Sequence, residues 1–81
     1  MADITHEIKE HYGVLSENQQ GWTKQVNLVS WNERQPKVEV REWIEDLTRL
    51  GKGITFTFDE VVALKEIINS IDLKELKKLS G

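Results

Sequence analysis

Three tryptophans, Trp22, Trp31 and Trp43, are spread through the middle of an 81-residue chain, with the cations Lys24, Arg34, Lys37, Arg41 and Lys52 among them. An indole ring offers a flat apolar surface on which an unpaired base stacks for about 1–3 kcal/mol, and lysine or arginine neutralises phosphates. Interleaved, the two residue types make a candidate surface for single-stranded nucleic acid. Two of the rings also have a structural reading. Trp43 could pack against a cross-strand aromatic, and Trp31, beside Leu28 and Val29, divides between a groove and dimer or core packing.

Other chemistries find no support. His6 and His11 are five residues apart, which on a regular strand sends them to opposite faces, and the chain has no cysteine. A metal site is therefore not expected. Ser16 and Ser30 lack a histidine at a recognisable offset, and Glu45 and Asp46 beside Arg49 read as a solvated turn. Lys52 lies between two glycines, but Gly53 stands where a phosphate loop needs Ser or Thr, and no glycine precedes Gly51 by five. Lys74, Lys77 and Lys78 read as a solvated helix end. No catalytic residue and no cofactor is expected.

The formal net charge of −3 argues against a polyanionic partner until its distribution is considered. Residues 1–19 carry a net −3, residues 20–55 a net +1, and residues 56–81 a net −1. The only segment that is not acidic is the one holding every tryptophan. Absence of cysteine fits a reducing cytoplasm. The first residues lack a signal-peptide pattern, and no segment reaches membrane-span length. The expectation is one domain over residues 1–81, cytoplasmic and away from membranes. A domain this small has a thin core, so a second copy is expected to complete it.

The elements that position these residues are strands followed by a helix. "ITHEIKEHYGVLSE" alternates as a half-buried strand, interrupted at Gly13, and "GWTKQVNLVSW" follows a polar turn as the second. Nine steps separate Trp22 from Trp31, so an unbroken strand puts them on opposite faces and a bulge would put them on the same one. "KVEVREWI" sets Val38, Val40 and Ile44 on one face and Lys37, Glu39, Arg41 and Trp43 on the other. "EDLTRLGKG" reads as a loop and "ITFTF" as a fourth strand with Ile54, Phe56 and Phe58 in step. Thr57 and Glu60 form a capping box for a helix whose stripe of Val61, Leu64, Ile68 and Ile71, widened by Val62 and Ile67, exceeds what one sheet face needs. The tail "DLKELKKL" either extends that helix or caps a dimer. The fold class is α+β: a four-stranded curved antiparallel sheet and a C-terminal helix, ββββα. The helix covers one sheet face and leaves the Trp43 face free.

"KVEVREWIEDLTRLGKGITFTFDEVVALKEIINSID" followed by "LKELKKL" resembles the C-terminal domain of the transcriptional positive cofactor (PC four) family, and "VLSEN" with "GWTKQVNLVSWN" resembles its small bacterial, YdbC-like branch. The resemblance implies a homodimer whose helices pack together through Val61, Leu64, Ile67, Ile68 and Ile71. It implies curved sheets forming grooves for single-stranded DNA with little sequence preference, in a coactivator-like role in transcription, replication or repair. Arg41 and Trp43 then fall on the family's third strand, Lys52 before its fourth, and Trp22 and Lys24 at the second-strand start. The family often doubles the aromatic after Arg-Glu, whereas Ile44 follows Trp43 here. The expected partners are single-stranded DNA, a second copy, and transcription machinery. RNA binding, or a protein–protein adaptor using the same Trp-rich face, is the alternative.

Overall fold

The computed structural model describes residues 5–44 and 50–80. Four strands, β1 (His6–Glu17), β2 (Trp22–Trp31), β3 (Lys37–Ile44) and β4 (Leu50–Phe56), form one antiparallel sheet in chain order. Two helices follow, α1 (Phe58–Asn69) and α2 (Leu73–Ser80), so the tail is a second helix rather than an extension of the first. The expected loop at Gly51–Gly53 is the start of β4, with Leu50 paired to Trp43. The Glu45, Asp46 and Arg49 turn lies outside the described residues.

Turn chemistry sets two of the hairpins. Asn18 Oδ1 accepts from the amides of Gln20 and Trp22, each at 3.0 Å, and so closes β1 onto β2. Gly21 follows at a φ of +86°, a conformation that suits glycine. Between β2 and β3, Asn32 and Glu33 have φ of 51° and 62°, and Arg34 N–H donates to the Trp31 carbonyl at 2.9 Å. This is a left-handed turn at the start of the five-residue connection between β2 and β3. Asn32 also pins the start of β1, donating to the Thr5 carbonyl at 2.8 Å and accepting the Thr5 amide at 3.0 Å.

Register decides what shares a face. β2 pairs with β3 without interruption from Trp22 opposite Ile44 to Val29 opposite Lys37, so Trp22 and Trp31 lie on opposite faces. β1 is less regular: shifts between Ile8 and Glu10, His11 and Gly13, and Val14 and Ser16 leave Lys9, Tyr12 and Leu15 without register partners. The first shift changes the phase of the strand. His6 is opposite Trp31 and His11 opposite Asn27, which corrects the expectation that the histidines face opposite ways. Such irregularities bend a strand and raise its twist.

The two faces differ in burial, and not as the hydrophobic pattern suggests. Asn27, Val29, Glu39 and Trp43 are fully buried, and all four lie on the face of odd-numbered β2 and β3 residues, hereafter the inner face. The outer face carries the apolar row expected on β3, Val38, Val40 and Ile44, with Val26 and Leu28 of β2 and Ile54 and Phe56 of β4, yet all of these are half-buried except Ile54, which is exposed. The expected helix cover is largely missing. Among the described residues α1 meets only β3 and β4, and only Val61 along it is half-buried. There Tyr12, Leu28, Val38, Phe56, Phe58 and Val61 line an apolar groove of about 350 Å³.

Phe58 begins α1 instead of continuing β4, because Thr57 caps the helix. Thr57 Oγ1 accepts the Glu60 amide at 3.2 Å and Glu60 Oε1 accepts the Thr57 amide at 2.8 Å. A cap of this kind contributes about 1 kcal/mol. α1 ends at Ser70, and Asp72 Oδ1 accepts from the amides of Lys74 and Glu75 to start α2. Leu64, Ile67 and Ile68 are exposed along α1, as are Ile71 just beyond its end and Leu73, Leu76 and Leu79 along α2.

Candidate nucleic-acid interface

The inner face is organised around the carboxylate of Glu39, which is 1 % exposed. Arg41, two residues on and therefore on the same face of β3, donates from Nε to Oε1 at 2.8 Å and from Nη2 to Oε2 at 2.9 Å. Its Nη1 donates to the Gly51 carbonyl at 3.0 Å. Gly53, opposite Arg41 across the ladder, leaves the room for this: a Cβ there would stand 2.7 Å from the guanidinium carbon. Trp31 Nε1 donates to Glu39 Oε2 at 2.8 Å, and the guanidinium carbon lies 5.0 Å from the Trp31 ring centroid. His6 packs against the same indole at 5.3 Å between centroids. The ring is thus held by a hydrogen bond, a cation–π contact and an imidazole, while the residue remains half-buried rather than buried.

Beside Trp31 the surface is open and basic. Trp31, Arg34, Gln35, Lys37 and Thr55 line a pocket of about 180 Å³ floored by Val29. Among the described residues no carboxylate lines it, and Arg34 and Lys37 are exposed. Such a site offers an indole, two cations and the Thr55 hydroxyl.

Trp43 is not an open platform, contrary to the expectation from strand alternation. It shares the inner face with Lys37 and Arg41 as expected, but it is 0 % exposed, its ring 5.3 Å from that of His6. Its Nε1 is buried with no acceptor among the described residues. Beside it runs a polar ladder. His11 Nδ1 bonds Asn27 Oδ1 at 2.6 Å, Asn27 Nδ2 donates to Gln25 Oε1 at 3.2 Å, and Gln25 Nε2 donates to Thr23 Oγ1 at 2.8 Å. Thr23 Oγ1 in turn donates to the Trp43 carbonyl at 3.4 Å. These groups satisfy one another, which is how a polar face becomes a buried one.

The eight residues expected to meet nucleic acid therefore divide. Trp31, Arg34, Lys37, Arg41 and Trp43 gather at the inner face and its adjoining turn. Trp22, Lys24 and Lys52 belong to the outer one. Trp22, Glu42, Gly51 and Lys52, with Asn18 and Gln20, surround an open pocket of about 490 Å³, and Lys24 stands opposite Glu42. Glu39, His6 and Thr55 were not anticipated. For Glu39 a signal existed, since positions i and i+2 of a strand share a face. For His6 none did, because its placement depends on an irregularity in β1.

Among the described residues no group of three or more His, Asp or Glu side chains is placed to hold a metal, and no helix is long and apolar enough to cross a membrane. An uncharacterised protein of Treponema pallidum (strain Nichols) is 38 % identical over 71 residues, covering 88 % of this chain and 84 % of the relative. The family model described as Transcriptional Coactivator p15 (PC4) matches residues 18–67, from the β1–β2 turn through most of α1. That family is one of nucleic-acid-binding, non-enzymatic proteins. By that match and by its four-stranded antiparallel sheet with C-terminal helices, the chain belongs to the Transcriptional Coactivator p15 (PC4) family.

Proposed function

We propose that the protein binds single-stranded DNA with little sequence preference, as a homodimer in the cytoplasm at the nucleoid, and acts with the transcription machinery by holding unpaired strands. The observation that carries this reading is the half-buried Trp31, fixed by Glu39, Arg41 and His6 and sharing a pocket with Arg34 and Lys37 that no acid lines among the described residues. A base stacks on the indole while Arg34 and Lys37 neutralise the flanking phosphates. Discrimination against duplex follows, because a paired base has no free face to offer. Trp22, Lys24 and Lys52, on the outer face, do not meet the same nucleotide in one protomer.

The second copy answers the apolar excess. Leu64, Ile67 and Ile68 on α1 expose 37 %, 59 % and 55 % of their surface, and Ile71 just beyond its end 38 %, above an outer sheet face that is itself only half covered. A monomer with that much apolar surface in solution would be unusual. Packing α1 against a partner removes it from water at about 25 cal/mol per Å².

The test is a titration of dye-labelled oligo-dT, its duplex and the matching RNA strand at two salt concentrations, with wild type and Trp31→Ala. The expected result is tighter binding of single strands than of duplex, and loss of about 1–3 kcal/mol of that affinity in Trp31→Ala. Equal affinity for duplex and single strand removes the stacking mechanism, and tighter binding of the RNA reassigns the ligand.

A further inference from the structure

We propose that Glu39 is a positioning residue of the binding surface: it fixes the plane of the Trp31 indole and takes Arg41 out of the set of groups that meet phosphate. This rests on the reading of Trp31 as the stacking surface. One carboxylate does both tasks, since its Oε2 accepts from Trp31 Nε1 at 2.8 Å and from Arg41 Nη2 at 2.9 Å while Oε1 accepts from Arg41 Nε at 2.8 Å. Three donors on two side chains thus converge on a group that is 1 % exposed.

Three consequences follow from this geometry. The indole cannot turn about its bond to the backbone without breaking a charge-assisted hydrogen bond, so a base meets a ring already in place and loses less freedom on binding. Arg41, whose side chain is 18 % exposed, has its charge neutralised by Glu39 and its Nη1 committed to the Gly51 carbonyl, so a phosphate there would meet a neutral pair. The charge that attracts the strand is left to Arg34 and Lys37. Arginine at that position in β3 is therefore part of the mounting of Trp31 and not a phosphate clamp.

The test is a double-mutant cycle on oligo-dT affinity, read together with the indole N–H resonances. Trp31→Phe keeps an aromatic ring and removes the donor. Glu39→Gln keeps the shape and removes the charge, and Glu39→Asp keeps the charge and shortens the reach, so one remains usable if the other does not fold. In the Glu39 variants the Trp31 indole proton, assigned by its loss in Trp31→Phe, is expected to move upfield and exchange faster with water, while that of Trp22 on the outer face stays where it is. At high salt, where a released Arg41 adds little, affinity should fall on the order of tenfold in each single variant and no further in the double, because both remove the Trp31–Glu39 bond. The salt dependence should steepen in Glu39→Gln, where Arg41 is released. Additive losses, or an affinity loss with the Trp31 resonance unmoved, overturn the proposal. Failure of the underlying reading looks different: Trp31→Ala would then bind normally even though Glu39→Gln shifts the indole signal.

Discussion

Replacing Trp43 by alanine removes the largest fully buried side chain among the described residues, at a site that is 0 % exposed. Truncating a buried tryptophan costs about 3–5 kcal/mol through lost transfer energy and the cavity left behind. A chain of 81 residues, at about 0.05–0.15 kcal/mol per residue, has about 4–12 kcal/mol to lose. At about 4–8 °C per kcal/mol, Tm should fall by at least about 12 °C. Trp43→Phe is the informative companion. It forfeits part of the ring but also removes an indole N–H buried with no acceptor among the described residues, whose burial costs about 1–3 kcal/mol. The two effects oppose each other, so Trp43→Phe should melt within about 1 kcal/mol of wild type. Circular dichroism melts give the stability, and oligo-dT anisotropy at low temperature gives the affinity of the folded fraction, expected to be near normal for Trp43→Phe. If Trp43→Ala melts like wild type and loses DNA binding, the ring faces solvent and the burial argument is wrong.

Ile68→Lys places a charge on a side chain that is 55 % exposed in the single chain, so it should halve the sedimenting mass while leaving the sheet folded; a wild-type monomer at micromolar concentration would contradict the dimer proposal. Lys37→Ala should weaken oligo-dT binding and lower the slope of log affinity against log salt by no more than about 0.7 per site lost, with Tm unchanged. Glu33→Gly relieves a non-glycine residue at a φ of 62°, where the left-handed conformation costs roughly 1–2 kcal/mol, offset in part by the chain entropy of glycine; a small rise in Tm is the expected result.

The turn and helix signals could be read directly from residue type. Thr57 with Glu60 makes the capping box, and the apolar row of Val38, Val40 and Ile44 lies on one face as alternation requires. The parity of Trp22 and Trp31 reduced to one question, whether β2 carries a bulge against β3, and it carries none. What alternation could not supply was which face is covered. Thr23, Gln25, Asn27 and Glu39 look like solvent-facing residues because each is polar, yet partners placed by the sheet satisfy them and bury two of them completely. The apolar row is the less protected one, because the helix that should shield it touches the sheet only near its start. Nor do Lys9, Tyr12 and Leu15 carry any composition signal that marks them as extra residues in β1, so the common face of His6 and His11 was hidden.

Those three unpaired residues matter for the chain's behaviour in a crowded solution. β1 is twelve residues long and forms one margin of an open sheet, with no strand beyond it among the described residues. A straight margin of that length would offer a row of free amides and carbonyls to any extended chain that met it, which is the first step of polymerisation. By breaking the repeat three times in twelve residues, β1 denies a newcomer a continuous template, and Lys9 adds a charge at the first break. Deleting Lys9, Tyr12 and Leu15 together would straighten the margin, and the shortened protein should come out of solution at concentrations where the parent stays clear.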